Sequence, residues 1–390
     1  MSNIQIDKSN NSAFVRKSQN NILELAGLKG FAAFAVVCSH FAYTFYPAMQ
    51  TAEYELAHHR IIEMVVHRSP LYLFINGEFM VKIFWCISGF LMSFLWQKNH
   101  SVALVRKQII NRYLKLVVPI SVSLLLTWLF VILNVMKTAE AASCTNSLWL
   151  AGFYQMDPRF LDVLKEGFID VFFYGKSEYN PILWTMKGEL FGGFFAGVLL
   201  VFCSGSKYKW VYYICSAIFS AIFFIPLLCF IIGIIIGELY SDGLKIDIKS
   251  GLCILSLAIL ISSFLPIWRF IPQFVNIIGI TLDIGGLVYG FAAGGAILVI
   301  TCSSKVGSFF TMKPFQLLGR YSMETFLLHW PLICSVACNI FLLVNNRLNY
   351  DLAVIISFVI FMLSLAVLVV IFQKLIVNPW KMITIKIWNR

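Results

Sequence analysis

The most constraining feature of the chain is an apolar run from Leu25 to Tyr46, LAGLKGFAAFAVVCSHFAYTFY. Its length matches the ~20 residues that a helix needs to cross a bilayer. Lys29 and His40 are eleven positions apart, which at about 100° per residue puts them on one face of the predicted helix. Ionisable side chains inside a membrane are costly unless they line a polar interior. The run therefore predicts a spanning helix with a functional face, although a snorkelling Lys29 and a structural, hydrogen-bonded His40 would give the same pattern.

Similar apolar runs recur along the whole chain. Of its 390 residues, 59% are hydrophobic and only 13% are charged, about half the charged fraction of a typical soluble domain. We predict an all-α, polytopic transmembrane helical bundle of about ten spans. The predicted spans are 25–46, 79–97, 114–136, 183–203, 210–225, 227–240, 251–267, 283–302, 321–344 and 352–377. Residues 25–377 form one transmembrane domain, flanked by a polar tail at 1–24 and a basic tail at 378–390.

Lysine and arginine set the predicted orientation. The net charge of +11 comes mainly from basic residues in alternate short segments between the apolar runs, which is the positive-inside pattern. Both termini are therefore expected in the cytoplasm, and the charge does not indicate nucleic acid as a partner. Lys29 then lies towards the cytoplasm and His40 towards the outer face. Two long segments, Ala48–Glu78 and Ala139–Pro181, are expected outside, and long connections often carry function.

Cysteine and histidine spacing does not indicate a metal site. Most of the ten cysteines fall in apolar runs, where they behave as small hydrophobic residues. The adjacent pair His58 and His59 is a weak signal, because neighbouring residues of a helix do not face one site. We therefore expect neither a metal nor a bound cofactor.

Charged residues at later spans suggest two kinds of chemistry. Arg112 and Lys115 share a helix face at the cytoplasmic boundary, where they suit a phosphorylated cytosolic ligand, although positive-inside anchoring explains many such pairs. Glu189 lies one or two turns into the fourth span, at a depth similar to that of His40. A carboxylate there could orient the imidazole as a general base, or it could pair with another helix for structural reasons.

The second and ninth spans carry further polar residues. Ser88 precedes Gly89 in the second span, a combination that suits either close helix packing or a hydrogen bond across the gap. Arg320 lies at the inner boundary of the ninth span, and His329 lies near its middle. We expect His329 either to pack on a polar partner or to line the same cavity as His40.

These stretches, in this order, resemble the acyltransferase 3 family of integral membrane O-acyltransferases. The family's first-span pattern, Leu-x-Gly-Leu-Arg-Gly followed by a histidine, appears as LAGLKG followed by His40, with Lys29 in place of arginine. Its Arg-x-x-Arg pair appears as Arg112-x-x-Lys115. FWCISGF, LWTMKGE and LGRYSMETFLLHWPL are similar to its second-span, fourth-span and late motifs. The five motifs extend over nearly the whole chain.

The resemblance implies transfer of an acyl group, usually acetyl, from cytosolic acyl-CoA to a hydroxyl of a cell-surface polysaccharide or its lipid-linked precursor. It places the enzyme in the bacterial inner membrane. His40 would be the base that takes the hydroxyl proton, and Glu189 would orient His40 or the acceptor. Residues expected to bind substrates are Lys29, Arg112, Lys115, Ser88, Trp184, Asn180, Arg320 and His329. The alternatives are a secondary transporter or glycan flippase lined by His40 and Glu189, and a scaffold whose polar residues are all structural.

Overall fold

A computed structural model of the protein describes residues 8–263, 274–277 and 280–388. These residues are overwhelmingly helical, which confirms the predicted all-α class. A short antiparallel pair of strands, Phe274–Ile277 and Ile280–Asp283, precedes the eighth long helix. Parts of the predicted tails (1–7 and 389–390) and the end of the predicted seventh span (264–267) lie outside the described residues.

Each predicted span overlaps a helix of the structure. The helices are α1 (Lys8–Phe45), α2 (Gly77–Asn99), α3 (Val102–Ile132), α4 (Thr185–Phe202), α5 (Lys209–Phe223), α6 (Ile225–Ser241), α7 (Ile248–Ser263), α8 (Ile284–Cys302), α9 (Ser322–Asn345, with a π-helical turn at Ile333–Ala337), α10 (Tyr350–Phe372) and α11 (Asn378–Trp388), which continues α10 through a π-helical turn at Gln373–Val377. Seven helical segments within the described residues are long and apolar enough to cross a membrane, whereas α5, α6 and α7 are shorter apolar helices. A multi-pass bundle is therefore confirmed, and the count of ten spans stays a prediction.

The two long connections are folded into short helices. The first contains Ala48–Thr51, Tyr54–Leu56, Arg60–His67 and Pro70–Ile75. The second contains Thr138–Thr145, Leu148–Ala151, Phe160–Lys165, Glu166–Tyr174 and Pro181–Trp184. Three further short helices lie between α8 and α9: Ser304–Gly307, Ser308–Thr311 and Lys313–Arg320. His59 Nε2 lies 2.8 Å from Asp351 Oδ1, and the ring of His58 stacks on Tyr350. These contacts attach the first connection to the start of α10.

Glycines allow the central helices to approach one another closely. A Cβ on Gly89 of α2 would overlap the backbone of Phe230 in α6. A Cβ on Gly30 of α1 would overlap the backbone of Gly319 in the Lys313–Arg320 helix. Apolar side chains gain little by leaving lipid for protein, so small residues that permit close packing are a main source of helix association in membranes. The glycines of the LAGLKG and ISGF motifs thus explain how α1 and α2 are held in the centre of the bundle.

The outer surface of α10 is apolar at regular intervals. Exposed residues four apart form one ridge along it: Ile355, Val359, Leu363, Val367 and Ile371. Phe361 and Leu365 are buried on the opposite side of the helix. In a membrane the exposed ridge can face lipid, where an apolar surface needs no polar cover.

Candidate active site

Two histidines from different helices meet in the interior of the bundle. His329 Nε2 in α9 lies 3.1 Å from His40 Nδ1 in α1. Each Nδ1 also faces a carbonyl of its own helix, at 3.1 Å from Val36 O for His40 and 3.0 Å from Thr325 O for His329. His329 is completely buried, whereas His40 is only partly buried. The first sequence expectation for His329 is the one observed: it packs on a polar partner, and the partner is His40.

An aromatic side chain from the second long connection covers His40. The Trp149 ring stacks on His40 with centroids 5.8 Å apart, and on Tyr43 with centroids 4.4 Å apart. Ser147 fixes this segment to α1, because its Oγ donates a hydrogen bond of 2.8 Å to the Tyr43 carbonyl. Sequence reasoning missed Trp149, since the only available signal was its place in a long connection rich in aromatic residues.

His40 lines a cavity of about 570 Å³, which we call the histidine cavity. Its walls combine polar and aromatic side chains, among them Ser39, Gln50, Asn76, Glu78, Tyr43, Tyr72, Trp149 and Trp184. Gln50 is held by two hydrogen bonds, donated from its Nε2 to the Ile75 carbonyl and accepted by its Oε1 from Tyr72. A concave site with a few fixed polar groups and several aromatic rings is suited to a hydroxyl-bearing organic ligand.

A second cavity, of about 210 Å³, is lined by Lys29, Ser88 and Glu189 among mainly apolar residues. We call it the lysine cavity. It shares three lining residues with the histidine cavity, Val81, Thr185 and Phe326, so the two cavities are adjacent. Lys29 forms no ion pair with any residue that the structure describes. One face of α1 therefore carries both its lysine and its histidine to neighbouring cavities, as the spacing predicted.

Glu189 is not paired with His40, and the alternative expectation, a pair with another helix, is the one observed. Glu189 forms an ion pair with the guanidinium of Arg112 from α3 and accepts a hydrogen bond of 3.0 Å from Ser88 Oγ. Gly193, one turn further along α4, leaves room for this approach, because a Cβ there would overlap the Arg112 side chain. A similar predicted depth in the membrane was not enough to bring Glu189 and His40 together. Contact also requires that α4 and α1 turn these two side chains towards each other, and Glu189 faces Arg112 of α3 instead.

The basic residues predicted at the inner boundary have different surroundings. Arg112 is directed inward to its carboxylate partner, whereas Lys115, one turn later, is exposed. Lys381 of α11 lies near enough to Lys115 for their charges to interact, a contact that sequence could not reveal. Arg320 is also exposed, with its guanidinium 5.6 Å from the centre of the Tyr321 ring.

Asn180 and Trp184, both predicted to bind substrate, occupy different positions. Trp184 is half exposed and lines the histidine cavity. Asn180 is completely buried, and its Nδ2 donates a hydrogen bond of 3.0 Å to the Leu327 carbonyl of α9. That carbonyl lacks its usual helical donor, because the residue four positions later is Pro331, which has no N–H. Asn180 therefore completes the hydrogen bonding of α9 immediately beside His329.

Glu166 holds the segment that carries Asn180. Its carboxylate accepts hydrogen bonds of 2.6 Å from Ser177 Oγ, 2.9 Å from the Glu178 amide and 3.4 Å from the Tyr179 amide. Burial raises the pKa of this carboxyl, and the three hydrogen bonds oppose that shift. The position of Asn180 is thus fixed by a buried carboxylate that sequence reasoning did not select.

The bundle and its paired cavities together define a class of protein. A partly buried imidazole that lines a polar cavity, next to a second cavity lined by a lysine, in a multi-pass helical protein suits a membrane enzyme with general-base chemistry. In the described part of the chain, no group of three or more His, Cys, Asp or Glu side chains could hold a metal ion.

The chain belongs to the acyltransferase 3 family, whose model, an acyltransferase domain, matches residues 22–374. The match extends over nearly the whole chain and confirms the resemblance carried by the motifs. The protein is therefore a multi-pass membrane acyltransferase. No curated protein and no solved structure matches the chain.

Proposed function

We propose that the protein is an O-acyltransferase of the bacterial inner membrane. It moves an acyl group, which we take to be acetyl, from cytosolic acyl-CoA to a hydroxyl of a cell-surface polysaccharide or its lipid-linked precursor. The observation that carries this proposal is that His40 lines a polar, aromatic cavity, which adjoins a second cavity lined by Lys29 through Val81, Thr185 and Phe326. An acyl-CoA carries negative charge, which suits the cavity lined by Lys29. A sugar carries hydroxyl groups, which suit the polar and aromatic cavity lined by His40.

The donor is assigned to the lysine cavity and the basic surface beside it. Coenzyme A carries phosphates, and charge-assisted contacts from lysine and arginine are the usual means of binding them. Lys29 forms no ion pair among the described residues, and Lys115 is exposed. Lys29 and His40 are separated by about 16 Å along α1, a distance that the extended pantetheine arm would have to span past Phe326.

The acceptor is assigned to the histidine cavity. Its hydroxyl would lie against His40 Nε2, which accepts the hydroxyl proton as the alkoxide oxygen attacks the thioester carbonyl. The tetrahedral intermediate then expels the CoA thiolate, which takes that proton from His40 Nε2. The products are an O-acyl ester and CoA with a free thiol, and His40 returns to its neutral form. Glu189, paired with Arg112, supports the donor side of this arrangement instead of the imidazole.

Release of CoA thiol from purified protein in proteoliposomes tests the proposal. With acetyl-CoA on the inside and extracted cell-envelope glycan on the outside, thiol release should depend on both, and mass spectrometry should find the glycan heavier by one acetyl group. His40→Ala should lose the ~10²–10⁴-fold that a positioned general base contributes, and His40→Gln should not recover it. His100→Gln, an exposed histidine at the end of α2, is the matched control and should remain active.

Two results would contradict the proposal. Wild-type activity in His40→Ala and His40→Gln would remove the assigned base. Movement of glycan across the membrane without any thiol release would support the transporter or flippase instead.

A further inference from the structure

We propose that His329 is a positioning residue that fixes the reactive tautomer of His40 and shares the positive charge that His40 acquires. This inference rests on the proposed function, in which His40 Nε2 is the base. The family match assigns no role to His329, and its side chain is completely buried behind His40. The hydrogen bonds that the two rings can make support the role.

The backbone determines where each imidazole carries its hydrogen. A carbonyl oxygen can only accept a hydrogen bond, and Thr325 O lies 3.0 Å from His329 Nδ1. His329 Nδ1 therefore carries the N–H, and a neutral His329 presents an unprotonated Nε2. That nitrogen lies 3.1 Å from His40 Nδ1, which must in turn be the donor. Val36 O, 3.1 Å from the same His40 nitrogen, requires a donor there as well.

The outcome is a single consistent arrangement of hydrogens. His40 Nδ1–H is shared between the Val36 carbonyl and His329 Nε2, which leaves the lone pair on His40 Nε2. No described residue forms a hydrogen bond with that Nε2, so it is available to a ligand in the histidine cavity. In the opposite tautomer, the Nδ1 lone pair of His40 would face the lone pairs of Val36 O and of His329 Nε2, both at 3.1 Å. Two such repulsive contacts in a buried site would cost far more than one lost hydrogen bond.

The same geometry has a consequence when the reaction starts. His40 gains a proton at Nε2 and becomes an imidazolium, while Nδ1–H remains directed at His329 Nε2. Because His329 is a neutral acceptor, the hydrogen bond from His40 Nδ1–H becomes charge-assisted when His40 is protonated, and such a bond is about twice as strong as a neutral one. The Val36 carbonyl and the face of the stacked Trp149 ring also stabilise the cation, and His329 adds a side-chain acceptor to them. His329 therefore serves the role that a carboxylate serves in other base dyads, without adding a negative charge to the membrane interior.

Two substitutions separate this role from simple packing. His329→Gln retains an oxygen acceptor close to the position of Nε2, whereas His329→Leu fills a similar volume without any hydrogen bond. We expect His329→Leu to lower kcat by about 10- to 100-fold, less than the ~10⁴-fold loss when a protease triad loses its orienting carboxylate, because Val36 O still accepts from His40. KM for acyl-CoA should stay near the wild-type value in both variants, and His329→Gln should recover most of kcat.

Nitrogen-15 NMR of histidine-labelled enzyme in nanodiscs gives a readout that packing alone would not change. The His40 signals, identified by their loss in His40→Gln, should show a protonated Nδ1 and an unprotonated Nε2 in the wild type, and a mixture of tautomers in His329→Leu. A wild-type His40 protonated at Nε2 would overturn the inference, as would wild-type kcat in His329→Leu. These outcomes are distinct from failure of the proposed function, because an inactive His40→Ala beside a fully active His329→Leu would refute only the positioning role.

Discussion

The hydrogen bond from Asn180 to Leu327 leads to a quantitative prediction about α9. Pro331 deprives the Leu327 carbonyl of its helical donor, and Asn180 Nδ2 supplies a replacement at 3.0 Å from a completely buried side chain. Replacing Asn180 with leucine, which has a similar volume, would leave that carbonyl without a donor. Replacing Pro331 with alanine would restore a backbone N–H at the required position. The two substitutions should therefore compensate for each other.

The magnitude is set by the cost of an unsatisfied buried group, about 1–3 kcal/mol. We expect Asn180→Leu to lower the free energy of unfolding by that amount in the wild-type background. In the Pro331→Ala background the same substitution should cost less than about 1 kcal/mol, since the backbone N–H restored by the alanine would then donate to Leu327 O. The coupling energy of the double-mutant cycle should be on the order of 1–2 kcal/mol, which is typical of residues that share one hydrogen-bond network.

SDS titration of the four proteins in mixed micelles, monitored by tryptophan fluorescence, measures the cycle. Asn76→Leu is a suitable control, because Asn76 Nδ2 also donates to a buried carbonyl, Ser262 O, at 2.6 Å. Asn76 belongs to a different network, so its effect should be additive with that of Pro331→Ala. An equal loss of stability for Asn180→Leu in both backgrounds would refute the reasoning, because the contribution of Asn180 would then be unrelated to the missing proline N–H.

Two further predictions concern the boundary of the lysine cavity and the ion pair between Glu189, which lines it, and Arg112. Phe326 lines both cavities, so Phe326→Ala should widen the passage between them and admit water. Release of CoA thiol without acceptor, measured with a thiol reagent, should then rise above the wild-type background. An unchanged background would show that the ring does not separate the cavities. Gly193→Leu should displace Arg112 from Glu189 and raise KM for acyl-CoA about tenfold, because Glu189 would then be an unpaired carboxylate in the lysine cavity and would repel an anionic donor. Gly197→Leu, one turn further, meets Ile109 instead and should leave KM unchanged; equal effects of the two variants would assign the loss to overpacking.

The features that sequence predicted correctly are those set by local spacing. Apolar length was enough to locate the helices, and the interval between Lys29 and His40 was enough to put both on one face of α1. Ser88-Gly89 of the second span suited close helix packing, and Gly89 does face the backbone of α6. Each of these properties depends on one helix and its immediate contacts.

The features that sequence did not predict depend on how separate helices are rotated. His40 and His329 are 289 positions apart, and the sequence suggested that they could line one cavity but not that their two rings are in direct contact. Trp149 lies in a connection whose path back to α1 depends on Ser147 and Tyr43. Hydrophobic periodicity gives the buried face of a helix, but it does not say which of several neighbours that face meets.

The ion pair of Glu189 constrains the roles of the two cations near it. The lysine cavity and its surroundings contain two cations, Lys29 and Arg112, and one carboxylate. A buried ion pair that loses one partner leaves an uncompensated charge, which is strongly destabilising. A phosphate that drew Arg112 away would leave Glu189 with only the Ser88 hydrogen bond and the more distant charge of Lys29, so Arg112 is better suited to stay with Glu189 and shape the cavity. Lys29, which forms no ion pair in the described part of the chain, then supplies the net positive charge that an anionic donor would meet. In the proposed reaction a lysine is therefore sufficient at this position, because attraction of a negative group requires charge and reach, whereas the planar guanidinium of Arg112 is already committed to Glu189.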